Sequence, residues 1–397
     1  MKRRAIESLD IVQSERSLFQ NCHAIVAIPA RNEADRISHC LAALAVQRDR
    51  LGAPIAAGSF GILLLVNNST DETAHVARNL AVGLPYSLEI LEVSLMENAT
   101  AGRARRHAME EAAGRLRKGA GDGVLLTTDA DSMVPPSWFA DNMSQLEAGA
   151  DCVAGYIDAE PAEIVAHGTA FLERGRLEDT YLRLIAEIYA LCDPRPHDPW
   201  PNHRVSSGAS LAVKLAAYEA VGGMPDKALG EDGTFTALLD ESGFKVRHAL
   251  DVSVLTSCRL DGRAAGGAAD TMRHRRDVPD APCDDELEPA FNTLYRATLR
   301  GFLRKALKEK NPDRALWRLR REGRLECDAA GSFADIWKNI EAQHPVLRRG
   351  PPLRPSELPR QIAAAKFILH NLRSIAQMTG VRADKYPHAK SPALDDA

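Results

Sequence analysis

Leu125-Leu126-Thr127-Thr128-Asp129-Ala130-Asp131 is an apolar run that ends abruptly in two carboxylates. From Gly123 to Thr128 it has the length and bounds of a buried strand. If the extended backbone continues, Asp129 and Asp131 point to the same side, because side chains alternate along a strand. In open α/β sheets the ligand crevice lies beyond the carboxyl ends of the strands. Two like charges in one crevice repel unless a cation lies between them. Carboxylates are hard oxygen donors, suited to Mg²⁺ or Mn²⁺, which in turn bind phosphates. The other reading is a turn that caps a helix before Pro135-Pro136. Taken alone, the D-x-D pair leaves both open.

The neighbouring sequence favours the crevice. Cys22–Pro29 reads as a strand, and Glu33–Gln47 as a helix with Ile37, Leu41, Leu44 and Ala45 on one face. Gly61–Val66 is a second strand, closed by the turn formers Asn67 to Asp71, of which Thr70 or Asp71 can cap a helix. Leu88–Val93 and Asp151–Ile157 are further strands, and Thr100–Leu116 is a helix. Strands that recur every ~30–40 residues with helices between them indicate βαβ units in a mostly parallel sheet. Both faces of such a sheet are covered, so its strands are apolar throughout.

After about residue 160 the pattern changes. Ala162–Leu191 reads as one long helix, and the proline-rich Asp193–Asn202 as a loop. More helix and strand follow over Ala209–Ala220, Glu231–Glu241 and Phe244–Thr256. Asp261–Asp285 is rich in Gly, Ala and Asp and is expected to be mobile. The tail from Leu287 is helical in pattern and basic over Arg296–Arg324, with a break at Gly350–Pro355 and a last helix near Gln361–Met378.

Composition excludes several classes. Of 397 residues, 45% are apolar and 26% charged, with a net charge of −4. That is not a disordered chain, nor a nucleic-acid binder driven by global charge. No apolar stretch approaches the ~18 residues of a membrane span. The N-terminal Met-Lys-Arg-Arg has no apolar segment behind it, so no secretory leader is expected. Seven cysteines without C-x-x-C spacing argue against disulfides and zinc, and for the cytoplasm. No dinucleotide, P-loop, nucleophile-elbow or zincin motif is present.

Four other groups could carry chemistry. Glu231-Asp232 follows Gly230 at a helix start, either as an acidic first turn or as a general base aimed at a cleft. Pro29-Ala30-Arg31-Asn32-Glu33 lies at a strand's carboxyl end, where it could hold a nucleotide or cap the next helix. Gly102 with Arg103, Arg105 and Arg106 suits a diphosphate or a solvated helix face. Thr256-Ser257-Cys258-Arg259, with Gly262-Arg263 and Gly266-Gly267, could form a phosphate flap.

Together these segments resemble glycosyltransferase family 2, with its GT-A fold. Val26-Ala27-Ile28-Pro29-Ala30-Arg31-Asn32-Glu33 is similar to the family's V-x-I-P-x-x-N-E. Asn67-Asn68-Ser69-Thr70-Asp71-Glu72-Thr73 is similar to D-D-x-S-T-D-x-T. Ala101–His107, Asp129-Ala130-Asp131 and Gly230-Glu231-Asp232 follow in the family's order, over roughly residues 22–260. The resemblance implies a mostly parallel α/β sheet with helices on both faces, to which the helical pattern of the tail adds a C-terminal extension. The division expected is an N-terminal extension at 1–20, a GT-A domain at 21–285 and a region at 286–397 that is helical by its pattern and has no assigned counterpart in the family.

The resemblance also assigns roles. Pro29, Arg31, Asn32 and Glu33 would line the nucleotide pocket together with Asn67, Gly102, Arg105 and Asp129. Asp129 and Asp131 would hold a divalent metal, with His248 a further candidate ligand. Asp232 would be the base, Glu231 would stand beside it, and Ser207-Gly208-Ala209 would shape the acceptor pocket. The reaction implied is a metal-assisted, inverting transfer of one sugar from a nucleoside-diphosphate sugar, of the hexosyltransferase class. The acceptor would be a sugar, a small molecule or a lipid-linked hydroxyl; the basic tail, read from its charge alone, is either a peripheral contact with an anionic membrane surface or a solvated helical cap or oligomer contact. Val66 and Asn67 stand where the family often has two acids, which leaves the donor's base open. The Q-x-x-R-W signature of processive synthases is absent. Two rivals remain: a nucleotidyltransferase making a sugar nucleotide, and a non-catalytic sugar-nucleotide binder on the same fold. The first would need a Gly-rich loop where Pro29–Glu33 has no glycine.

Overall fold

The computed structural model describes residues 19, 22–95, 99–117, 123–262, 266–309 and 331–378. The extension expected at 1–20 (Phe19 apart), Arg263 of the expected flap and the basic stretch from 310 to 324 lie outside them.

Eight strands form one sheet: β1 (Ala24–Ala30), β2 (Phe60–Asn67), β3 (Leu88–Val93), β4 (Val124–Thr127), β5 (Ser132–Met133), β6 (Cys152–Ala159), β7 (Leu211–Lys214) and β8 (Val246–Thr256). Their order is β3-β2-β1-β4-β7-β6-β8-β5. Four of the seven pairings are parallel. The antiparallel ones all involve β7 or the short β5, which the sequence pattern did not reveal. From β1 the chain steps outward to β2 and β3, then returns to place β4 on the other side. That reversal opens a crevice at the carboxyl ends of β1 and β4.

Helices cover both faces. On one lie α1 (Ile37–Ala45), α2 (Thr73–Ala81) and, after α3 (Ala101–Leu116), α4 (Trp138–Glu147). There Ala24, Val26 and Ile28 meet Leu41, Leu44, Ala77 and Trp138. The alternate residues Ile25 and Ala27 meet Ala108, Met109 and Ala112 of α3 on the other face. The period of two therefore divides β1 between two cores, and all eight residues of β2 are buried. Burying one such Leu or Ile side chain contributes roughly 1.5–3 kcal/mol.

The long helix expected over Ala162–Leu191 is two helices, α5 (Pro161–Ala166) and α6 (Thr169–Cys192). Gly168 stands between them at φ 93°, a left-handed conformation that stops α5 before α6 begins. Next come α7 (Leu215–Ala220), α8 (Glu231–Glu241), α9 (Ala268–Asp277) and α10 (Ala290–Lys308). Helix α9 lies inside the segment expected to be mobile. Its composition hid it, since it buries no residue and has little apolar periodicity. The last helices are α11 (Phe333–Gln343) and α12 (Leu358–Met378). Tyr181, Ile185 and Ile188 of α6 pack with Ala297 of α10 and Ile362 and Ile368 of α12. Leu303 of α10 packs with Ile336, Trp337 and Ile340 of α11. Among the described residues no helix is long and apolar enough to cross a membrane.

Candidate active site

A cleft of about 320 Å³ opens at the carboxyl ends of β1, β2 and β4. Pro29, Arg31 and Glu33 line it from the end of β1, Asn67 from β2, and Asp129 and Asp131 from the turn after β4. Arg105, Glu231 and Asp232 line the opposite side, with Arg259 beyond β8.

Two turns brace each other at its rim. Asn32 and Asn68 both adopt left-handed backbone, at φ 54° and 49°, which asparagine tolerates better than most residues. The Asn32 side-chain oxygen accepts from the Thr70 amide at 2.8 Å, and the Asn32 amide donates to Ser69 Oγ at 3.0 Å. The Glu33 amide donates to Thr73 Oγ1 at 2.7 Å, and the Ala34 amide to Asp71 at 3.0 Å. Asn32 is thus placed as a brace between the two turns and is not among the residues that line the cleft, while Glu33 is held facing it.

Arg105 ties the two sides together. It is buried, and each of its guanidinium nitrogens donates to a protein group. Nη2 reaches Asp129 Oδ1 at 2.8 Å, Nε reaches Glu231 Oε1 at 3.0 Å, and Nη1 reaches the Gly208 carbonyl at 2.8 Å. Burial opposes its charge, but Asp129 and Glu231 outweigh that and raise its pKa. The backbone makes room for this contact. A Cβ at Gly208 would stand 2.1 Å from Arg105 Cζ, and one at Gly102 would stand 2.6 Å from Glu231 Oε2. Gly102 therefore serves close packing of α3 against α8. Glu231 is buried, and its pKa is raised, chiefly by burial.

Asp232, the next residue, is only half-buried. Its Oδ2 accepts from the Gly208 amide at 2.9 Å and its Oδ1 from the Gly233 amide at 2.7 Å. Two backbone donors thus fix a carboxylate on the wall of the cleft.

Asp131 carries the least comfortable charge. Burial first, and then neighbouring Asp129, push its pKa up to about 7. Arg259 answers it with an ion pair at 3.1 Å and also forks onto Glu33, with Nη1 donating to Oε2 at 2.7 Å. The donor set suits a small divalent cation. Magnesium is commonly held by one or two carboxylates, with waters and substrate phosphates completing its shell. Among the described residues no group of three or more His, Cys, Asp or Glu side chains is arranged to hold a metal, so a cation at this place would rely on such outside ligands.

His248 is not brought to the aspartate pair. Its Nδ1 contacts Asp198 at 3.0 Å, and it lines a second cavity. The reason is local: Asp198 also accepts from the His248 amide at 2.9 Å and from Arg247, which anchors the start of β8 to the proline-rich loop. The sequence reading gave Arg259 only a place in a flap and did not join it to Glu33 or Asp131. Its hint was a basic residue at the carboxyl end of β8. Nor did it find the buried clamp between Arg105 and Glu231. A buried helix-start glutamate and an arginine on a helix far earlier in the chain carry no mutual signal in the sequence.

Residues 25–182 match the model of the family described as Glycosyl transferase family 2. That match contains Pro29 to Glu33, Asn67, Arg105, Asp129 and Asp131, while Glu231, Asp232 and Arg259 lie beyond it. No curated protein matches the chain. Among solved structures, the mannosyltransferase PcManGT from Pyrobaculum calidifontis, in complex with GDP-Man and Mn²⁺, is similar with 16% identity and a TM-score of 0.46. The similarity covers 91% of this chain and 81% of that one. TarS residues 1–349 from S. aureus, in complex with UDP-GlcNAc, are similar with 15% identity and a TM-score of 0.42, over 74% of this chain and 71% of that one.

Proposed function

We propose, from the premise that residues 25–182 are a family 2 glycosyl transferase domain, that this enzyme moves one sugar from a nucleoside-diphosphate sugar to an acceptor hydroxyl. The observation that carries this reading is the meeting of Asp129, Asp131 and Asp232 on one cleft. Asp129 and Asp131 would hold Mn²⁺ or Mg²⁺, which would supply Lewis-acid stabilisation of the leaving diphosphate. Pro29, Arg31, Glu33 and Asn67 line the side on which the nucleotide would rest. Asp232 takes the proton of the acceptor hydroxyl as its oxygen attacks the anomeric carbon. The hydrogen bonds that the Gly208 and Gly233 amides give this carboxylate support that reading. A single displacement inverts the anomeric centre. Glu231 is engaged with Arg105 and acts by positioning the helix start.

Residues 21–285 carry this chemistry in our reading, and the helices after residue 285 build a wall on the acceptor side. We place the enzyme in a reducing, cytoplasmic compartment on the ground of seven scattered cysteines without C-x-x-C spacing.

The test is transfer from a panel of sugar nucleotides, for the native enzyme and Asp232→Asn. General-base help is worth ~10²–10⁴ in rate, so the variant should lose at least that much transfer. It should still bind donor, because the side-chain oxygen of the introduced asparagine can keep one amide bond. Near-native transfer by the variant would remove Asp232 from the role. Donor binding is read separately, by thermal shift with nucleoside diphosphates with and without Mn²⁺. Ligand at ~100 times its Kd adds ~2.7 kcal/mol of stability.

A further inference from the structure

A second cavity of about 1010 Å³ lies behind the wall that carries Asp232. Gly230 lines both spaces. Ser206 and Gly233 line the second, next to Ser207 and Asp232, which line the first. Ser206 and Thr236, both on the wall between the two spaces, share a hydrogen bond of 2.9 Å. The volume is at the upper end of small-molecule sites, which run to about 1,000 Å³, so it would hold a sugar together with a substituent.

Its charge is unusual. The lining as a whole holds more carboxylates than arginines, but at the α10 end Arg195, Arg204 and Arg300 line it with Arg304 beside them, and the carboxylates near these four are Asp193, Asp240 and Asp198, the last engaged with Arg247 and His248. Arg195 forks onto Asp240, with Nη1 at 2.9 Å from Oδ2. Arg304 Nε takes both oxygens of Asp193, at 2.8 and 3.1 Å. Arg300 shares Asp193 with Arg304 and lies over the rings of Phe333 and Trp337. Arg300 Nε is buried and makes no hydrogen bond among the described residues, standing 3.5 Å from Asp193 Oδ2. Arg204 Cζ stands over the Tyr189 ring, 3.6 Å from its centre, and the side chain makes no ion pair among the described residues. Burial, and after it the charge of Arg204, acts against the charge on Arg300 and lowers its pKa. The protein holds Arg300 there by close backbone packing. A Cβ on neighbouring Gly301 would stand 1.9 Å from the Cys192 carbonyl oxygen, so α10 lies directly on the end of α6.

At this end of the cavity, an arginine without an ion pair among the described residues next to a buried guanidinium nitrogen without a hydrogen bond suits an anion. Guanidinium edges match phosphate oxygens in bidentate geometry. We propose that this cavity is the acceptor site and that Arg204 and Arg300 receive a phosphate group carried by the acceptor. The proposal rests on the reading of Asp232 as the base, because it places the phosphate on the far side of that residue from the donor cleft. It also gives α10, which lies outside the family match, a part in substrate choice. Two sources can bear that phosphate, a soluble sugar phosphate and a lipid headgroup, and the chemistry recognised is the same.

The full chain is titrated with glycerol 3-phosphate by calorimetry, for the native protein, Arg204→Gln and Arg300→Gln. Arg204 is exposed, so its variant keeps the fold even if the α10 variant does not. Saturable binding is expected, weakened at least about tenfold by Arg204→Gln, while the thermal shift with nucleoside diphosphates stays unchanged. Co-sedimentation with phosphatidate vesicles, against phosphatidylcholine vesicles, gives the source. Arginine-dependent pelleting assigns a lipid headgroup, and binding of the soluble ester without pelleting assigns a free phosphate. Unaltered affinity in Arg204→Gln, displacement of the ester by nucleoside diphosphates, or no saturable binding would overturn the proposal. If no nucleoside diphosphate binds while the ester does, the glycosyl-transfer reading fails and the phosphate site stands.

Discussion

Arg105→Met is the sharpest perturbation of the cleft, because it removes a charge and keeps a similar side-chain length. The native guanidinium joins Asp129, Glu231 and the Gly208 carbonyl, which come from three separate segments. Its side chain is 7% exposed and that of Glu231 is 5% exposed, so solvent screens the pair little. Removing one partner of a buried pair costs about 3–5 kcal/mol, because the other charge is left uncompensated. The deficit depends on pH. Glu231 already titrates above its usual value of 4.5, chiefly through burial, and Arg105 pulls it back down. Without Arg105 its folded-state pKa rises further. A carboxyl raised in the folded state has its full stability below the unfolded pKa, and loses it as pH rises towards the folded one. The gap between native and variant protein should therefore be small near pH 4.5, widen as pH rises and level off once Glu231 has ionised. Urea unfolding followed by tryptophan fluorescence at pH 5 and pH 8 measures it. A deficit below about 1 kcal/mol at pH 8, or one equal at both pH values, would refute the reasoning, since an exposed ion pair is worth only that much.

Gly208→Ala should act on the same residue from the other side. Its Cβ would meet Arg105 at 2.1 Å, and overpacking of this kind costs about 1–3 kcal/mol. Thermal unfolding checks it, and Arg105→Met combined with Gly208→Ala should cost less than the sum of the two. Asp131→Asn should stabilise the metal-free protein at pH 8. The native Asp131 carboxyl sits near 7 against an ordinary 3.8, so stability present below 3.8 is lost as pH rises through about 7. The gain from asparagine should vanish near pH 4, and urea midpoints in EDTA at both pH values decide it. Asn32→Ala removes the oxygen that accepts from the Thr70 amide at 2.8 Å and the residue that tolerates φ 54°. It should cost about 1–3 kcal/mol and weaken nucleoside-diphosphate binding through the misplaced turn, as read by thermal shift and calorimetry.

What the sequence made legible was what is decided locally. The runs around Ile28, Leu64 and Leu126 are apolar at every position because helices cover both faces of the sheet, and that pattern is visible without coordinates. The two turns at Asn32 and Ser69 to Thr73 were legible as turn formers. Their function as a mutual brace was not, because the hydrogen bonds join residues 37 to 40 positions apart. The same limit explains Arg259. It meets Glu33 across 226 positions, a pairing set by the order in which strands enter the sheet and by no spacing in the chain. His248 shows the limit from the other direction. A histidine in a strand that follows the acidic pair looked like a metal ligand, yet its environment is decided by Asp198 in a loop that composition could mark only as irregular. The cleft therefore has two layers. The carboxylates that would do chemistry sit at strand and helix ends, where periodicity finds them. The arginines that hold or answer those carboxylates come from elsewhere in the chain. If the second layer tunes the first, Arg259→Gln should act on Asp131 without touching Asp232. Asp131 and Glu33 would both lose a cation, and Asp131 would titrate higher still. Binding of a nucleoside diphosphate with Mn²⁺ should then weaken most at low pH, where the cation competes with a proton. The same variant assayed at pH 9 should recover most of its affinity. A loss of equal size at pH 6 and pH 9 would mean that Arg259 touches the nucleotide itself, and that its ion pair with Asp131 is incidental.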